Sequence, residues 1–400
     1  MGYESLKHIY YANEGKHSAA YKQRFHDAGT LHFHINIKQY NRKKSFSAFM
    51  CCNCEIDKLL EDIFIEHSRL LSLLPNIPRV VLNQFYMLCI VDEVKASNNI
   101  EGIRSTRNEL QKAMENMESN SRFASTLNKY NLILRSESID FGTCQDLRLF
   151  YEDFAYKEVV QDNPKNKLDG IVFRKGSVDV ISKTGKIIHR GAFPEEKIME
   201  YMDEALRIMN DDSLPVLLRS GLFHYLFAYI HPFYDGNGRT ARFISSYTIS
   251  KVLHKAVALR LSATIKRNTG LYYDLFSETD SEWNCGDLTP FVIGFLKIVK
   301  QAVSDTCDLL NRKLAQFNRN IDLLKKITND KTSFEIYAVL LQASLLYGQG
   351  ITPEDIAKII EKSKNTVLNR LRDVIPKEHL YVNTIKRKNY YKLNLLILRK

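Results

Sequence analysis

The sequence predicts a mainly α-helical protein with a few short strands and a C-terminal segment of different character. Apolar residues recur at helical spacing over most of the chain, strand-like runs are few, and short helices with a basic hairpin replace the longer helices after residue 332. The 400 residues allow about two or three domains. A hydrophobic content of 44% and a charged content of 26% are typical of globular proteins.

The N-terminal third is predicted to be helical after a mixed start. Residues 1–50 contain HFHINIKQYNRKKSF, which is compatible with a strand or with a partly ordered lead-in. Apolar residues then recur at helical spacing from Ile56 to about Met117, with a break at LPNIP, 74–78. Helices with loops are expected over 120–168.

The middle of the chain combines a hairpin with long helices. VDVISKTGKIIHRGAFP, 178–194, predicts a β-hairpin that turns at Thr184 and Gly185. Helical periodicity returns after it. The predicted helices are 194–210, 214–230, 237–253 and 289 to about 327.

Residues 333–400 are predicted to form a winged helix-turn-helix, in which three short helices precede a basic hairpin. Pro353 suits the first turn of the second helix, and Ser363 suits the N-cap of the third. LYVNTIKRKNYYKLNLLIL predicts the hairpin, with KRKN at its tip.

The net charge of +11 is unevenly distributed along the chain. Residues 350–400 hold twelve Lys or Arg against five Asp or Glu. This excess indicates an anionic partner such as DNA, although a solvated basic face is the simpler explanation on charge alone. The seven irregularly spaced cysteines are typical of reduced thiols, so we expect a cytoplasmic protein, without secretory signal or membrane span.

The stretch HPFYDGNGRTAR, 231–242, concentrates polar groups between two apolar helices. Gly236 and Gly238 allow the backbone to turn tightly and to approach a ligand closely. The following helix begins near Asn237, and its N-terminus attracts anions. Arg239 and Arg242 lie three residues apart, so both can bind phosphate groups from one face.

Two further residues of this stretch suit transfer chemistry. Asp235, at the mouth of the loop, suits a Mg²⁺ ion that bridges phosphates. His231, at the end of the preceding helix, can accept a proton from an attacking hydroxyl. Together with the glycines and arginines, these residues predict a nucleotide-transfer site.

The stretch resembles the core motif of Fic-domain proteins, H-P-F-x-D/E-G-N-G-R-x-x-R. Its fixed positions are His231, Pro232, Phe233, Asp235, Gly236, Asn237, Gly238, Arg239 and Arg242. The resemblance implies a Fic-type helical core that moves AMP from ATP, with Mg²⁺, onto a Ser, Thr or Tyr hydroxyl. The acceptor would be a target protein or the chain itself.

The resemblance also implies a role for each residue of the motif. His231 would be the base and Asp235 the Mg²⁺ ligand, while Phe233 would anchor the loop in the core. Arg239 would bind the β-phosphate and Arg242 the γ-phosphate. The remaining phosphate contacts would come from Asn237 and the loop amides, including those of Gly236 and Gly238.

Other stretches resemble further parts of this family. LSATIKRNTGLYYDLF, 261–276, and GDLTPFVIGFL, 286–296, resemble its later helices, where Tyr272 and Tyr273 would flank the adenine or serve as core aromatics. The 178–190 hairpin takes the place of the family's flap, which holds the target chain by strand addition. Its candidate docking residues, unless it is a plain hairpin, are Val178, Ile187, Ile188 and His189.

DEVKASNNIEGIRSTRNEL, 92–110, resembles the family's inhibitory helix, S/T-x-x-x-E-G/N. Ser97, Glu101 and Gly102 occupy its fixed positions, on a helix predicted over about 84–101. A carboxylate at Glu101 could pair with Arg242 and keep it from the γ-phosphate. The alternative is an amphipathic helix with an exposed glutamate.

The winged helix-turn-helix would offer several basic side chains to DNA. They are Lys364 and Arg370 on the third helix and Lys386, Arg387 and Lys388 on the hairpin. Equally, this segment could pack on the core or form a homodimer.

These predictions give a chain of four segments. They are an N-terminal region with the inhibitory helix (1–119), a Fic core (120–300), a connecting helix (301–332) and the winged helix-turn-helix (333–400). Three alternative functions stay open: a DNA-binding regulator with a nucleotide-sensing core, transfer from another donor such as a phosphocholine compound, and removal of AMP with the help of Glu101.

Overall fold

The computed structural model describes residues 2–115, 121–182, 184–346, 350–385 and 387–399, so Lys386 lies outside the described residues. Within these ranges the protein is mainly α-helical, as predicted. The α-helices are α1 (Leu6–Ala12), α2 (Glu14–Phe25), α3 (Cys54–Leu73), α4 (Arg79–Ile100), α5 (Arg107–Glu115), α6 (Ala124–Arg135), α7 (Cys144–Tyr151), α8 (Lys157–Asp162), α9 (Glu195–Met209), α10 (Val216–Ile230), α11 (Asn237–Ile249), α12 (Lys255–Ala258), α13 (Leu261–Arg267), α14 (Thr269–Thr279), α15 (Thr289–Ile327), α16 (Lys331–Leu346), α17 (Pro353–Ile359) and α18 (Lys364–Asn369).

Six strands among the described residues form three separate antiparallel hairpins. The strands are β1 (Thr30–Ile37), β2 (Phe46–Cys51), β3 (Asp179–Ile181), β4 (Ile187–Arg190), β5 (Leu380–Ile385) and β6 (Lys388–Leu393). The predicted 178–190 hairpin is therefore confirmed as β3 and β4. Its turn includes Gly185 at φ +81°, a backbone conformation that glycine adopts without strain.

The mixed N-terminal segment forms the first hairpin, which settles the two alternatives in favour of a strand. Phe33, Ile35 and Ile37 are buried, whereas the residues between them are exposed. This period of two is that of a strand with one face on a core. The N–H of His34 also donates to Glu204 Oε1 of α9 at 3.0 Å.

The chain divides into two compact units. The first comprises Met1–Ile65 with Ile90–Val303, and the second comprises Glu66–Cys89 with Ser304–Lys400. The division into four segments made from the sequence stays a prediction. Among the described residues no helix combines the length and apolar character needed to cross a membrane.

The first unit is built around α10 and α11, which pack against each other. Most residues of both helices are buried, so each is apolar or internally hydrogen-bonded on nearly every face. The connection between them, residues 231–236, therefore lies at the centre of a core. This placement brings the candidate site to the junction of two buried helices, as the sequence predicts.

In the second unit, α16, α17 and α18 precede the β5–β6 hairpin in the predicted order. The side chains of Thr352 and Ser363 cap α17 and α18 by accepting N–H groups of the first turn. Ile351 and Tyr391 exchange backbone hydrogen bonds of 2.9 and 2.8 Å. Assignment of this unit to the winged helix-turn-helix class stays a prediction.

Candidate active site

The loop at the centre of the first unit begins where α10 ends. His231 adopts the left-handed backbone conformation (φ 52°) and donates its N–H to the carbonyl of Phe227 at 2.9 Å. Phe233 is fully buried and stacks on Tyr151 with ring centroids 3.6 Å apart. The loop is thus anchored in the core through Phe233, which leaves His231 half-buried at its start.

Asn237 closes the loop. Its Oδ1 accepts the N–H of Phe233 at 2.9 Å, and its Nδ2 donates to the carbonyl of Phe233 at 2.8 Å. The side chain is 2% exposed and is fully engaged with the loop backbone. Its predicted contact with a phosphate therefore falls to the backbone N–H of Asn237 at the start of α11.

Arg174, which the sequence did not single out, holds the loop from the other side. Although buried, it donates to three backbone carbonyls: from Nε to His231 at 3.0 Å, from Nη2 to Ala192 at 2.8 Å, and from Nη1 to Gly176. Burial lowers the pKa of Arg174 to about 10, so the guanidinium stays charged at neutral pH. A side chain at Gly191 would collide with both Arg174 and His231.

The imidazole of His231 is neutral at neutral pH. Burial lowers its pKa to about 4, and the nearby His189 and Arg174 act in the same direction. Nδ1 lies 3.2 Å from the carbonyl of Ala228, and since a carbonyl can only accept, Nδ1 carries the proton. The lone pair is then on Nε2, which suits proton abstraction.

The two glycines of the loop are required by their surroundings. Gly236 has φ +78°, and a Cβ there would press within 3.3 Å of Tyr151 and Val159. A Cβ at Gly238 would overlap the carboxylate of Glu101. The start of α11 is therefore a surface of bare backbone that an anion can approach closely.

Arg242, 1% exposed, is engaged by the end of α4. Its Nη2 lies 2.8 Å from Glu101 Oε1, its Nε donates to Ser97 Oγ at 3.0 Å, and Nη2 also donates to the carbonyl of Ser97 at 3.1 Å. Burial would lower the pKa of Arg242, but the facing Glu101 outweighs it and the pKa is raised. Gly102 follows Glu101 and has φ +76°, a left-handed conformation at which the chain turns after α4.

Arg239 is engaged by a second carboxylate. Its Nη1 lies 3.0 Å from Glu158 Oε1 of α8, and both side chains are more than nine-tenths buried. No N–H is aligned with this oxygen, so the contact is an ion pair rather than a hydrogen bond. Burial raises the pKa of Glu158 and outweighs the attraction of Arg239 and Arg122.

Asp235 is half-buried at the mouth of the loop. Its backbone carbonyl accepts the hydroxyl of Tyr151 at 2.9 Å, and its carboxylate accepts the N–H of Gly236. Among the described residues no Lys or Arg forms an ion pair with it. A half-exposed carboxylate beside a phosphate cradle fits Mg²⁺, which binds proteins through one or two carboxylates while phosphates supply other ligands.

The two candidate adenine tyrosines differ in exposure. Tyr272 is 4% exposed, and its hydroxyl pairs with His224 Nε2 at 2.8 Å. Burial lowers the pKa of His224 to about 3, so this buried histidine is neutral. Tyr273 is 42% exposed and directs its hydroxyl towards the carbonyl of Ile100 at 3.5 Å. Tyr272 therefore matches the alternative of a core aromatic, and Tyr273 stays the candidate for the adenine.

The four candidate docking residues of the β3–β4 hairpin differ in exposure. Ile188 is 48% exposed, and Val178 and Ile187 are half-buried. His189 is 8% exposed and points inwards, with Nε2 2.7 Å from the carbonyl of Tyr229. A role for His189 in docking a target side chain does not fit this orientation, whereas the other three remain candidates.

Two of the predicted DNA contacts are paired with acidic residues of their own unit. Lys364 Nζ lies 2.5 Å from Glu354, and Arg370 Nη2 lies 3.3 Å from Asp330. Arg387 has φ +64° at the hairpin tip, and Lys388 is exposed. The ion pairs reduce the charge that α18 offers to a phosphate, so DNA contact stays a prediction.

Glu93 is a further residue that the sequence analysis missed. It is fully buried, and its carboxylate accepts the N–H groups of Ser262 at 2.6 Å and Ala263 at 3.2 Å. It thus caps the N-terminus of α13 and attaches α4 to the core. Glu93 lies on α4, eight residues before Glu101, which follows the end of that helix, and no local sequence signal marks Glu93.

The fold and the site define a mainly helical protein in which a loop followed by two buried arginines begins at a neutral histidine. Residues 155–249 match the model of the Fic/DOC family, so this segment of the chain is similar to a Fic domain. The crystal structure of a Fic family protein from Desulfovibrio desulfuricans G20 has the same fold. Its TM-score is 0.52 at 18% identity, over 86% of this chain and 97% of that one.

Two curated relatives are similar over part of this chain. Protein adenylyltransferase Fic of Nematostella vectensis is 31% identical over 97 residues, which are 24% of this chain and 21% of its own. Protein adenylyltransferase fic-1 of Caenorhabditis elegans is 30% identical over 100 residues, 24% of this chain and 18% of its own. The chain thus spans about a fifth of the length of these relatives.

Proposed function

We propose that this chain is a protein adenylyltransferase that moves AMP from ATP to a Ser, Thr or Tyr hydroxyl and is restrained by Glu101. The observation that carries the proposal is the placement of a neutral His231 at the rim of a cradle formed by the start of α11, Arg239 and Arg242. The names of the curated relatives agree with this reaction.

His231 supplies the base for the reaction. Nε2 takes the proton of the acceptor hydroxyl, whose oxygen forms a bond to the α-phosphorus of ATP. The bond from that phosphorus to the bridging oxygen of the β-phosphate breaks, and pyrophosphate leaves. Arg174 holds the backbone of His231, and Asn237 holds the loop, so the base and the cradle keep a constant separation.

The cradle supplies charge stabilisation for the triphosphate. The N–H groups at the start of α11 and the two buried guanidiniums offer donors in a water-poor setting, where charge–charge interactions are stronger than at the surface. Asp235 would hold Mg²⁺, which, when bound, neutralises phosphate oxygens.

Glu101 restrains the reaction by occupying Arg242. The carboxylate lies 2.8 Å from Nη2 and covers Gly238, so it fills the place where a γ-phosphate would meet the arginine. The Glu101 side chain is 28% exposed and is followed by Gly102 at φ +76°. At this turn the carboxylate of Glu101 could move away from Arg242, while Glu93 keeps α4 attached to the start of α13.

The test is a transfer assay with ATP labelled at the α-phosphate and, separately, at the γ-phosphate. The samples are the parent, Glu101→Gly and Glu101→Gly/His231→Ala, alone and with a cell lysate. We expect protein label from the α-phosphate only, about tenfold stronger in Glu101→Gly, which corresponds to about 1.4 kcal/mol of lost restraint. The double variant should lose the label, because a general base contributes about 10²–10⁴-fold.

Glu109→Gln is the matched control, because among the described residues this half-buried carboxylate of α5 accepts the N–H of Thr106 at 3.4 Å and makes no hydrogen bond or ion pair with Arg242. It should label like the parent. Equal labelling by Glu101→Gly and the parent would exclude the restraint, and undiminished labelling by the double variant would exclude His231 as the base. Label from the γ-phosphate would indicate a different transfer reaction.

A further inference from the structure

The two arginines of the cradle are both paired with carboxylates, but the carboxylates differ in exposure and in their place in the fold. Glu101 follows the end of α4, and its side chain is 28% exposed. Glu158 lies inside α8, within the segment similar to a Fic domain, and its side chain is 8% exposed. Displacing the enclosed carboxylate of Glu158 requires a change on the buried face of α8, whereas Glu101 lies beyond a helix end and is partly exposed, so the two pairs need different explanations.

The backbone before Glu158 directs this side chain to the loop. A π-helical turn, Glu152–Tyr156, lies between α7 and α8. Each extra residue in a helical turn rotates the following side chains by roughly 100°, and such turns are frequent at functional sites. The next side chain, Val159, meets Gly236, where a Cβ would come within 3.3 Å. The π turn thus brings Glu158 and Val159 to the loop together.

We propose that Glu158 is a positioning residue for Arg239, which it holds in the orientation that meets the β-phosphate, so that it promotes the transfer that Glu101 restrains. Among the described residues Glu158 is the only carboxylate in ion-pair contact with Arg239. Arg239 Nε is buried and has no hydrogen-bond acceptor among them, so the guanidinium retains donor capacity for a ligand. This inference rests on the proposed function, since it assumes that ATP binds at the loop.

The sign of the effect distinguishes positioning from bulk electrostatics. Removing a negative charge beside a phosphate site should strengthen ATP binding if Glu158 acts only through its charge or as a second restraint. Loss of a positioning contact should weaken ATP binding, because Arg239 is no longer held in place. AMP has no β-phosphate, so loss of the positioning contact should leave AMP affinity unchanged, whereas an effect of charge alone should strengthen AMP binding as well.

The experiment measures ATP and AMP affinity by calorimetry in the Glu101→Gly background, with Glu158→Ala added. We expect ATP to bind about tenfold more weakly and AMP with unchanged affinity, with an increase in KM for ATP that exceeds any change in kcat. Glu158→Asp, which retains the charge on a shorter side chain, should recover part of the ATP affinity. Tighter or unchanged ATP binding in Glu158→Ala would overturn the proposal.

Asp162→Asn is the matched control. Asp162 lies one turn further along α8, is 47% exposed and pairs with Arg122 rather than with Arg239. The same change of charge at this position should leave ATP affinity unaltered. Equal losses of ATP and AMP affinity in Glu158→Ala would indicate a collapsed loop and so contradict a specific role. If Glu101→Gly itself does not bind ATP, the proposed function fails independently of Glu158.

Discussion

The Arg242–Glu101 and Arg239–Glu158 pairs are chemically similar, and both arginines lie on α11. We propose a different role for each pair. In the first, a partly exposed carboxylate raises the pKa of a buried arginine, so the pair favours the folded, restrained state. In the second, burial raises the pKa of the carboxyl despite the facing arginine, so the ionised glutamate is held against its own preference. Burial therefore opposes ionisation of Glu158, and a role in positioning Arg239 would account for a carboxylate at this place.

The base beside the two pairs should work over a wide pH range, and among the comparisons below this one separates its two outcomes by the largest factor. Because the pKa of His231 is lowered to about 4, transfer by Glu101→Gly should be flat between pH 5.5 and 8. A histidine with an ordinary pKa of about 6.5 would lose about tenfold in rate between pH 7.5 and 5.5. The measurement is kcat against pH.

The same profile of kcat against pH tests whether Glu158 affects His231. Glu101 is one of the main groups that shift the pKa of His231, and Glu158 is not one of these main groups. Glu101→Gly/Glu158→Gln should therefore show the acid limb of Glu101→Gly. An acid limb displaced to another pH would mean that Glu158 changes the pKa of His231. Glu158 would then act on the base and not only on the orientation of Arg239.

Stability should respond to the two carboxylates with opposite signs. Glu101→Gln should lower the free energy of unfolding by about 1 kcal/mol, since a partly exposed ion pair contributes little more. Glu158→Gln should leave the free energy of unfolding unchanged or raise it, because burial raises the pKa of this carboxyl more than the facing Arg239 and Arg122 lower it. Urea unfolding of the two variants and the parent measures both.

The pH dependence of the second effect follows from the raised pKa of Glu158. With the folded-state pKa above the unfolded one, stability is full below the unfolded pKa of about 4.3 and is lost as pH rises through the folded pKa. The difference between Glu158→Gln and the parent should therefore be largest at pH 7 and vanish near pH 4. A difference that grows towards acid pH would show that Arg239 holds the carboxylate in its ionised form.

The smallest effect concerns Ser97, which supports the first pair. Its hydroxyl accepts Arg242 Nε at 3.0 Å, and a buried hydrogen bond contributes about 0.5–1.5 kcal/mol. Ser97→Ala should loosen Arg242 and raise labelling by about threefold, less than Glu101→Gly does. Labelling at the level of Glu101→Gly would show that the serine, and not the charge of Glu101, carries the restraint.

The sequence by itself determined the parts that are encoded locally. Helical periodicity predicted α9, α10, α11 and α15 to within a few residues, except that α11 ends at Ile249 rather than at 253. Glycine and arginine spacing predicted the cradle, and the motif around Glu101 predicted a carboxylate that the structure places against Arg242. The helices and the loop depend on residues within a few turns of one another, where spacing fixes which side chains share a face. The pairing of Glu101 with Arg242 spans 141 residues, and the family resemblance, not local spacing, predicted it.

Only the tertiary structure decided the partners and surroundings of each group. Arg174, Glu93 and Glu158 reach the site from distant elements, and nothing in their local sequence marks them. The burial of Tyr272 and the inward turn of His189 likewise follow from packing between helices. Which side chains meet across long sequence separations, and how far their charges are removed from water, is set by the packed core and not by local spacing.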